Sequence, residues 1–278
     1  MTFDNMRIHA LKLAIQHNPS STLDNLFPTA DRILAYLSQT DSKPGPLPDV
    51  SEIFLCGKDP IYFAEKLRIP SVQFGAIRFA PYPFQKDVFR LMDREPVLAI
   101  CSARQMGLTT CLAIYSVWSA SKPNQAVVIM CPSFSTAVNF MDKVETFLAS
   151  LPASLNGLVD VRSKRKGSIE LTNGSSIVAM KAGALTTNPN LLIMHDAAYF
   201  PHSAVKKLPP AEKIVLQSAP GVKEGIFYDS YMRTDIWSMT LPWYLNPGRD
   251  ESFKDQMITM LGEEAFAHEF ECKFKDGP

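Results

Sequence analysis

VLAICSARQMGLTTCL, running from Val97 to Leu112, is the part of the sequence from which the rest is interpreted. Its first five residues, Val97 to Cys101, are mostly β-prone and predict a strand. After a short loop, Thr109 begins a segment of periodically spaced apolar residues that predicts a helix. The backbone N–H groups of such a loop and the positive end of the helix dipole converge on one point, so the pattern predicts a binding site for phosphate.

This loop follows the phosphate-loop consensus GxxxxGK[ST] in shape but differs from it in charge. In the consensus, the lysine reaches the β- and γ-phosphates of a nucleotide and the hydroxyl binds Mg²⁺. Gly107 occupies the second glycine position and Thr109 the hydroxyl position, whereas Leu108 replaces the lysine. On its own, the loop is equally compatible with an ordinary strand-to-helix turn.

Composition and charge indicate a globular protein with no general attraction to nucleic acid. The 278 residues are 46% hydrophobic and 20% charged, and the formal net charge is zero, so any contact with DNA must come from a local patch. The five cysteines are odd in number and lack C-x-x-C spacing, which predicts buried thiols in a reducing compartment. No signal-peptide pattern begins the sequence and no apolar run approaches about 18 residues, so we expect a soluble intracellular protein with no membrane contact.

The first part of the chain, residues 1–57, predicts a helical N-terminal arm. Its segment DSKPGPLP, residues 41–48, contains three prolines and one glycine and predicts a linker. The elements predicted up to residue 79 are helices from Asn5 to His17, from Thr29 onward and from Asp59, and a strand from Val72 to Phe79.

From Tyr82 the sequence alternates between helical and strand patterns. Strands separated by helices predict a mostly parallel sheet with helices on both faces. The predicted helices are Phe84–Met92, Thr109–Ser121 and Ser135–Leu148; the strands are Val97–Cys101, Ala126–Cys131, Leu191–Met194 and Lys213–Leu216; a hairpin joins Ser168–Leu171 to Ser175–Met180. Beyond Gly221 we expect a helix at Phe227–Met232, an extended segment at Trp237–Trp243 and one or two helices in Glu251–Phe270.

His195 and Asp196 follow the apolar strand Leu191–Met194. In nucleotide-hydrolysing α/β domains, such a strand runs into an Asp-Glu pair that orders Mg²⁺ and the attacking water. His195 is a poor ligand for Mg²⁺, which prefers oxygen. A buried strand capped by a polar pair is the alternative interpretation.

Gln85 and the basic run at residues 162–166 can each be interpreted either as part of a binding site or as ordinary surface residues. Gln85, before the phosphate loop, has an amide that can read an adenine edge, although a lone glutamine on an exposed helix is far commoner. The basic run Arg162, Lys164, Arg165 and Lys166 is a candidate for contact with DNA phosphates. Because this run precedes a hairpin, a solvated turn is the simpler interpretation.

Six blocks of the sequence occur in a distinctive order: DPIYFAE at 59–65, YPFQKD at 82–87, ARQMGLTT at 103–110, GSIELTNGSS at 167–176, LLIMHDAAYFP at 191–201 and KIVLQSAP at 213–220. Together they strongly resemble the ATPase domain of the large terminase subunit of tailed phages, the motor that drives genomic DNA into the prohead. The resemblance covers about residues 58 to 274. It implies a P-loop NTPase-like α/β core at residues 58–221 and a small helical lid formed by residues 1–57 and 222–278.

The resemblance implies ATP and Mg²⁺ as ligands and assigns residues to them. Gln85 corresponds to the adenine reader and Thr109 to the hydroxyl that binds Mg²⁺, while Asp196 and Arg104 are the catalytic candidates. The nucleotide-binding residues implied in this way are Gln85, Ala103, Arg104, Gln105, Met106, Gly107, Leu108, Thr109 and Thr110.

The sequence departs from the terminase pattern at the residues that carry chemistry. Leu108 replaces the lysine, and His195 and Asp196 replace the Asp-Glu pair. Leu185 aligns loosely with a position that is often arginine, and Gln217 to Ala219 replaces a threonine-rich coupling segment. Loss of one preorganised charge-stabilising group costs on the order of 10²- to 10³-fold in rate, so we expect weakened binding of ATP and Mg²⁺ and little turnover. Since the sequence stops near where the family's nuclease domain begins, DNA cleavage is not expected.

The leading hypothesis is therefore a terminase large subunit-like protein of viral DNA packaging, a pseudoenzyme that keeps the ATPase fold as a scaffold or regulator. The partners implied are the portal, the small terminase or an intact large terminase of the same phage, and double-stranded DNA, in a ring oligomer. The expected location is the host cytoplasm, the virion or the prohead. Two alternatives stay open: an active motor in which Arg104 replaces the lysine, and a binding or virion-associated protein that reuses the fold outside packaging.

Overall fold

The computed structural model describes residues 50–71 and 75–277. Its helices are α1 (Val50–Lys58), α2 (Pro60–Ala64), α3 (Pro83–Arg94), α4 (Leu108–Ala120), α5 (Phe134–Ser150), α6 (Gly225–Tyr231), α7 (Glu251–Leu261) and α8 (Glu263–Phe270). Its strands are β1 (Arg68–Ser71), β2 (Gly75–Arg78), β3 (Val97–Ser102), β4 (Ala126–Cys131), β5 (Val161–Arg165), β6 (Ser168–Leu171), β7 (Ser176–Lys181), β8 (Leu191–His195), β9 (Lys213–Ser218) and β10 (Trp237–Leu241). The helices predicted at Asn5–His17 and from Thr29, and the linker at residues 41–48, lie outside the described residues.

Eight strands form the central sheet, in the order β10-β3-β9-β8-β4-β7-β6-β5. The pairs from β10 to β7 are parallel, and only the β7–β6 and β6–β5 pairs are antiparallel. The predicted α/β fold with a mostly parallel sheet is therefore confirmed. Strand β10 comes from the segment expected to form the lid, so the sheet takes in more of the chain than the core predicted at residues 58–221.

The centre of the molecule is apolar on every side. Strands β3 and β8 are buried along nearly their whole length, as expected for parallel strands covered on both faces. Helix α4 is also buried almost all round, which explains why its sequence lacks a polar face. Two side chains of α4 fix it to its neighbours: Tyr115 Oη donates to Met92 O at 2.9 Å, and Trp118 Nε1 donates to Cys56 O at 2.8 Å.

The β6–β7 hairpin has the turn that the sequence predicted at Thr172-Asn-Gly174. Gly174 has a φ of 84°, a left-handed conformation that suits glycine. The side-chain amide of Asn173 lies against the end of α4, where Nδ2 donates to Ala120 O at 2.9 Å. The hairpin is thus attached to the helix that follows the phosphate loop.

Three local predictions were wrong or incomplete. Helix α1 was missed because it begins only two residues after the proline-rich segment, although its buried residues Ile53 and Cys56 have helical spacing. The strand predicted at Val72–Phe79 is β2, Gly75–Arg78, paired antiparallel with the unpredicted β1; residues 72–74 are outside the described part. The basic run at residues 162–166 is not a turn, because most of it forms the edge strand β5.

Helices α7 and α8 occupy Glu251–Phe270, where one or two helices were predicted, and they pack together through aromatic rings. Phe253 and Phe270 have centroids 5.4 Å apart with nearly perpendicular planes, and Phe266 stacks on Phe270. Within the described ranges, no helix is both long and apolar enough to cross a membrane.

Candidate functional site

The loop of residues 103–107 connects β3 to α4, as predicted from the sequence. Gln105 and Gly107 have φ values of 61° and 76°, so the chain makes its turn through the left-handed region. Gly107 is the N-cap residue of α4, and among residues 50–71 and 75–277 no side chain caps that helix. The first-turn N–H groups of a 13-residue helix are therefore left for a ligand.

Gln85 supports the loop from behind. Its side chain is only 5% exposed; Oε1 accepts from Tyr82 N at 3.0 Å and Nε2 donates to Met106 O at 3.0 Å. A Cβ atom at Gly107 would lie 2.7 Å from Gln85 Nε2 and would force the amide of Gln85 to move, and the positive φ of Gly107 also favours glycine. The interpretation of Gln85 as a residue on an exposed helix face is wrong, and its amide here contacts the protein rather than a cavity.

A cavity of about 370 Å³ opens in front of the loop. The loop and first turn of α4, Ser102 to Thr110, form one wall, and five residues from other parts of the chain complete it: Lys143, Asp196, Tyr199, Gln217 and Ala219. The cavity thus contains eight of the nine residues predicted to bind nucleotide, all except Gln85. It lies at the carboxyl ends of β3, β8 and β9, the edge at which α/β sheets bind ligands.

Leu108 occupies the consensus lysine position and its side chain is buried, with 4% exposure. It belongs to the hydrophobic core around α4 rather than to a charged site. The structure therefore gives this position an apolar packing role.

Thr109 and His195 contact each other directly. Thr109 Oγ1 lies 3.1 Å from His195 Nε2, and the imidazole is 6% exposed, with its ring edge on to Phe140 at a centroid distance of 5.3 Å. Burial lowers the pKa of His195; the carboxylate of Asp196 opposes this shift and the charge of Lys143 adds to it. His195 is therefore a neutral imidazole at neutral pH.

The carboxylate beside His195 indicates how the imidazole is protonated. Asp196 Oδ2 lies 3.4 Å from His195 Nδ1, too long for a good hydrogen bond but close enough to favour the proton on Nδ1. In that tautomer Nε2 accepts the hydroxyl proton of Thr109. Asp196 itself has a φ of 55° and lines the cavity with a partly exposed side chain.

Arg104 is held by the C-terminal part of the chain. Its guanidinium forms an ion pair with Glu269, its N–H donates to Glu269 O at 3.0 Å, and its carbonyl accepts from Arg249 Nη2 at 2.8 Å. Ala103 N also donates to Leu241 O at 2.8 Å. We call these contacts the C-terminal clamp. No pattern in the sequence indicated Arg249 or Glu269, because they lie far along the chain from the loop.

Gln217 lies between the loop and β8 and is 5% exposed. Its Nε2 donates to Ser102 Oγ at 3.2 Å, while Oε1 is buried without a partner among residues 50–71 and 75–277. This orphaned polar atom belongs to a side chain that lines the cavity. The cavity therefore contains an unsatisfied buried polar group as well as uncapped backbone donors.

The structure does not bring every candidate residue to this cavity. The basic run lies on β5, at the opposite end of the sheet from β3 and β10, and Lys164 pairs there with Glu145. Leu185 lines a different cavity, near Lys206 and Lys207. The residues that the sequence did not nominate are Lys143, which comes from α5, and Tyr199, which follows β8.

No family model matches the sequence. Comparison with solved structures gives a clear fold. The ATPase domain of the large terminase of Thermus phage P74-26 matches with a TM-score of 0.54 and 17% identity, over 75% of this chain and 99% of that one. The chain has the fold of a phage large-terminase ATPase domain.

Two structures of phage large terminases match as well, each over part of its length. The HK97 bacteriophage large terminase has a TM-score of 0.58 and 19% identity, over 78% of this chain and 55% of that one. The large terminase of a thermophilic bacteriophage in complex with ADP has a TM-score of 0.53 and 12% identity, over 66% of this chain and 50% of that one. The chain spans about half the length of these two large terminases.

Proposed function

We propose that this chain is a terminase large subunit-like protein of viral DNA packaging whose ATPase fold binds nucleotide but hydrolyses it poorly or not at all. The observation that carries the proposal is the 3.1 Å contact between Thr109 Oγ1 and His195 Nε2. The hydroxyl and the strand-end residue that would hold and order Mg²⁺ in this fold are here bonded to each other.

The donor set at this point does not fit Mg²⁺. That ion requires near-octahedral coordination by oxygen, and a buried neutral imidazole stands where a carboxylate would be needed. Asp196 supplies a carboxylate next to it, but its chain turns through the left-handed region immediately after β8. We therefore assign no step to a metal in this cavity.

The same cavity fits a nucleotide phosphate. Its uncapped helix N-terminus and the left-handed turn at Gly107 depend on backbone rather than on a lysine at position 108. Nucleotide is also the ligand class of the solved terminase structure that contains ADP and of one that contains ATP-gamma-S. Residues Gln105 to Thr110 would hold the phosphates by their N–H groups.

Loss of turnover follows from two coincident changes. Leu108 removes the cation at the transferred phosphate, and His195 removes the ligand for the metal. Each loss alone is of the kind that costs on the order of 10²- to 10³-fold in rate. The two need not add, but both act against hydrolysis.

The test of this proposal is a pair of measurements on the full chain. Binding of ATP and ADP is titrated by calorimetry with Mg²⁺ and with EDTA, and ATP hydrolysis is followed with and without double-stranded DNA. We expect binding that does not require Mg²⁺ and hydrolysis at the level of the buffer blank. Turnover at the rate of a packaging motor would exclude the pseudoenzyme, and absence of nucleotide binding would exclude the nucleotide site.

A pseudoenzyme of this fold would act through its contacts. We propose the portal, the small terminase or an intact large terminase of the same phage as partners in the host cytoplasm or on the prohead, in a ring assembly. The exposed basic residues of β5 are the candidate contact for double-stranded DNA. Co-purification with those packaging proteins supports this role, whereas recovery only with finished virions would favour a virion-associated protein outside packaging.

The alternative of an active motor that uses Arg104 is less well supported. The guanidinium of Arg104 is paired with Glu269, and its backbone is held by the C-terminal clamp. If Arg104 nevertheless served as the catalytic cation, Arg104→Ala would abolish a measurable hydrolysis rate.

A further inference from the structure

We infer that Lys143 of α5 supplies the positive charge that the phosphate cavity lacks at position 108, and that it binds the phosphate chain of the nucleotide. This inference rests on the proposed function, because it concerns how the same cavity recognises its ligand. It assigns a role to a residue that lies 35 positions after Leu108 in the sequence.

Two cations line the cavity, and they differ in availability. Arg104 is committed to Glu269. Lys143 is exposed, and within the described ranges its ammonium group has neither a hydrogen bond nor an ion pair. An exposed lysine at the wall of a cavity, beside uncapped N–H groups, can turn its flexible stem toward an anion without breaking an existing contact.

The charge of Lys143 determines the net charge of the side chains that line the cavity. Arg104 and Glu269 neutralise each other, His195 is uncharged, and Asp196 contributes one negative charge. Arg249 contacts the loop at Arg104 O and Met106 Sδ but is not among the residues that line the cavity. Among the lining side chains, Lys143 is therefore the cation that remains to offset Asp196 and to attract phosphate beside the backbone donors.

Gln217 gives independent evidence that the cavity is built for a ligand. The residue is only 5% exposed, and its Oε1 has no hydrogen-bond partner in the described part of the chain. Rotation of the amide would let Oε1 accept from Ser102 Oγ and would leave the NH₂ group as an unpaired donor in the wall of the cavity, where a ligand oxygen could accept from it. The lysine and the amide therefore add side-chain donors to the backbone donors of the phosphate loop.

The experiment compares Lys143→Gln and Lys143→Arg with Lys181→Gln in the full chain. Lys181 is an exposed lysine at the end of β7 that does not line the cavity, so it is the matched control. The probes are ATP, adenosine and inorganic tripolyphosphate, titrated by calorimetry in EDTA, and thermal unfolding of each variant is measured in parallel.

We expect Lys143→Gln to lower the affinity for ATP and for tripolyphosphate by about 10- to 100-fold, which is the effect of losing one charge-assisted hydrogen bond. Lys143→Gln should bind adenosine as the wild type does and should unfold at the same temperature. Lys181→Gln should bind ATP with unchanged affinity, and Lys143→Arg should keep most of the affinity for ATP. If Lys143→Gln binds ATP as the wild type does, or if Lys143→Arg loses as much as Lys143→Gln, the role of Lys143 is refuted while nucleotide binding stands. If the wild type binds neither ATP nor tripolyphosphate, both the role of Lys143 and the proposed function are refuted.

Discussion

Thr109 Oγ1 and His195 Nε2 lie 3.1 Å apart although 86 residues separate them in the sequence. The contact joins the first turn of α4 to the end of β8, the two places where an ATPase of this fold would coordinate a metal. Here the junction is a hydrogen bond between a hydroxyl and a neutral ring. This hydrogen bond joins two elements of the fold at the position where a catalytic site would bind its metal.

This relationship predicts a dependence of stability on pH. The pKa of folded His195 lies below its unfolded value, so the unfolded chain binds a proton first as the pH falls. Above the unfolded pKa of about 6.5, His195 makes its full contribution to the free energy of unfolding. As the pH falls from there toward the folded pKa, that contribution is lost at up to about 1.4 kcal/mol per pH unit. Urea unfolding of the wild type and His195→Asn between pH 8 and pH 5 measures it, and the variant should show a shallower slope. Equal slopes would contradict the assignment.

Restoring the consensus charges should restore a response to Mg²⁺. In the double variant Leu108→Lys with His195→Asp, we expect Mg²⁺ to tighten ATP binding by about tenfold or more, because a carboxylate and the Thr109 hydroxyl are then both available as oxygen ligands. Calorimetric titrations with and without Mg²⁺ measure the ratio. Adding Thr109→Val should remove the gain, and a gain that survives this third change would show that the metal binds elsewhere.

Gln85 and Gly107 should be energetically coupled. Gly107→Ala is expected to cost about 1–2 kcal/mol from the left-handed backbone alone, and more because the new Cβ would meet Gln85 Nε2. Gln85→Ala should cost about 1–3 kcal/mol because it leaves Met106 O and Tyr82 N without partners. A double-mutant cycle in urea should give a combined loss smaller than the sum of the two, since the clash disappears with Gln85. Strict additivity would argue against the close contact.

The two tryptophans Trp118 and Trp237 provide a test of how α1 is attached. Trp118→Phe removes the donor to Cys56 O in a side chain that is 1% exposed, and should lower the free energy of unfolding by about 1–3 kcal/mol. Trp237→Phe changes a side chain that is 51% exposed and should stay within about 0.5 kcal/mol of the wild type. Similar losses in both variants would show that the indole hydrogen bond does not hold α1.

The sequence predicted the elements whose patterns are local and missed the contacts that depend on distant residues. The strand from Val97, the helix from Leu108 and the hairpin at Asn173 have apolar periodicity or a turn signal within a few residues, and the structure confirms them. Leu108 and His195 were recognised because a known spacing sets their positions. Lys143 had no such signal, since one lysine on a long amphipathic helix looks like any solvated charge.

The roles of individual residues were harder to predict than their positions. Gln85 was singled out as a candidate reader of adenine, and in the structure its amide donates to the loop backbone at Met106 O, which sequence spacing cannot reveal. The contact of Arg249 with Arg104 O spans 145 residues, so no local pattern contains it. The basic run at 162–166 was mistaken for a turn because its charges hid the strand period that pairing with β6 imposes.

The C-terminal clamp connects the phosphate loop directly to the C-terminal part of the chain. Leu241, Glu269 and Arg249 hydrogen-bond to three backbone groups in two consecutive residues of the loop: Ala103 N, Arg104 N and Arg104 O, respectively. Tension applied to the chain beyond α8 is therefore transmitted through Glu269 to the very peptides that precede the phosphate donors. A load on that end would shift residues 103 and 104, which immediately precede the phosphate donors at Gln105 to Thr110, so it should change the affinity of the cavity for an anion.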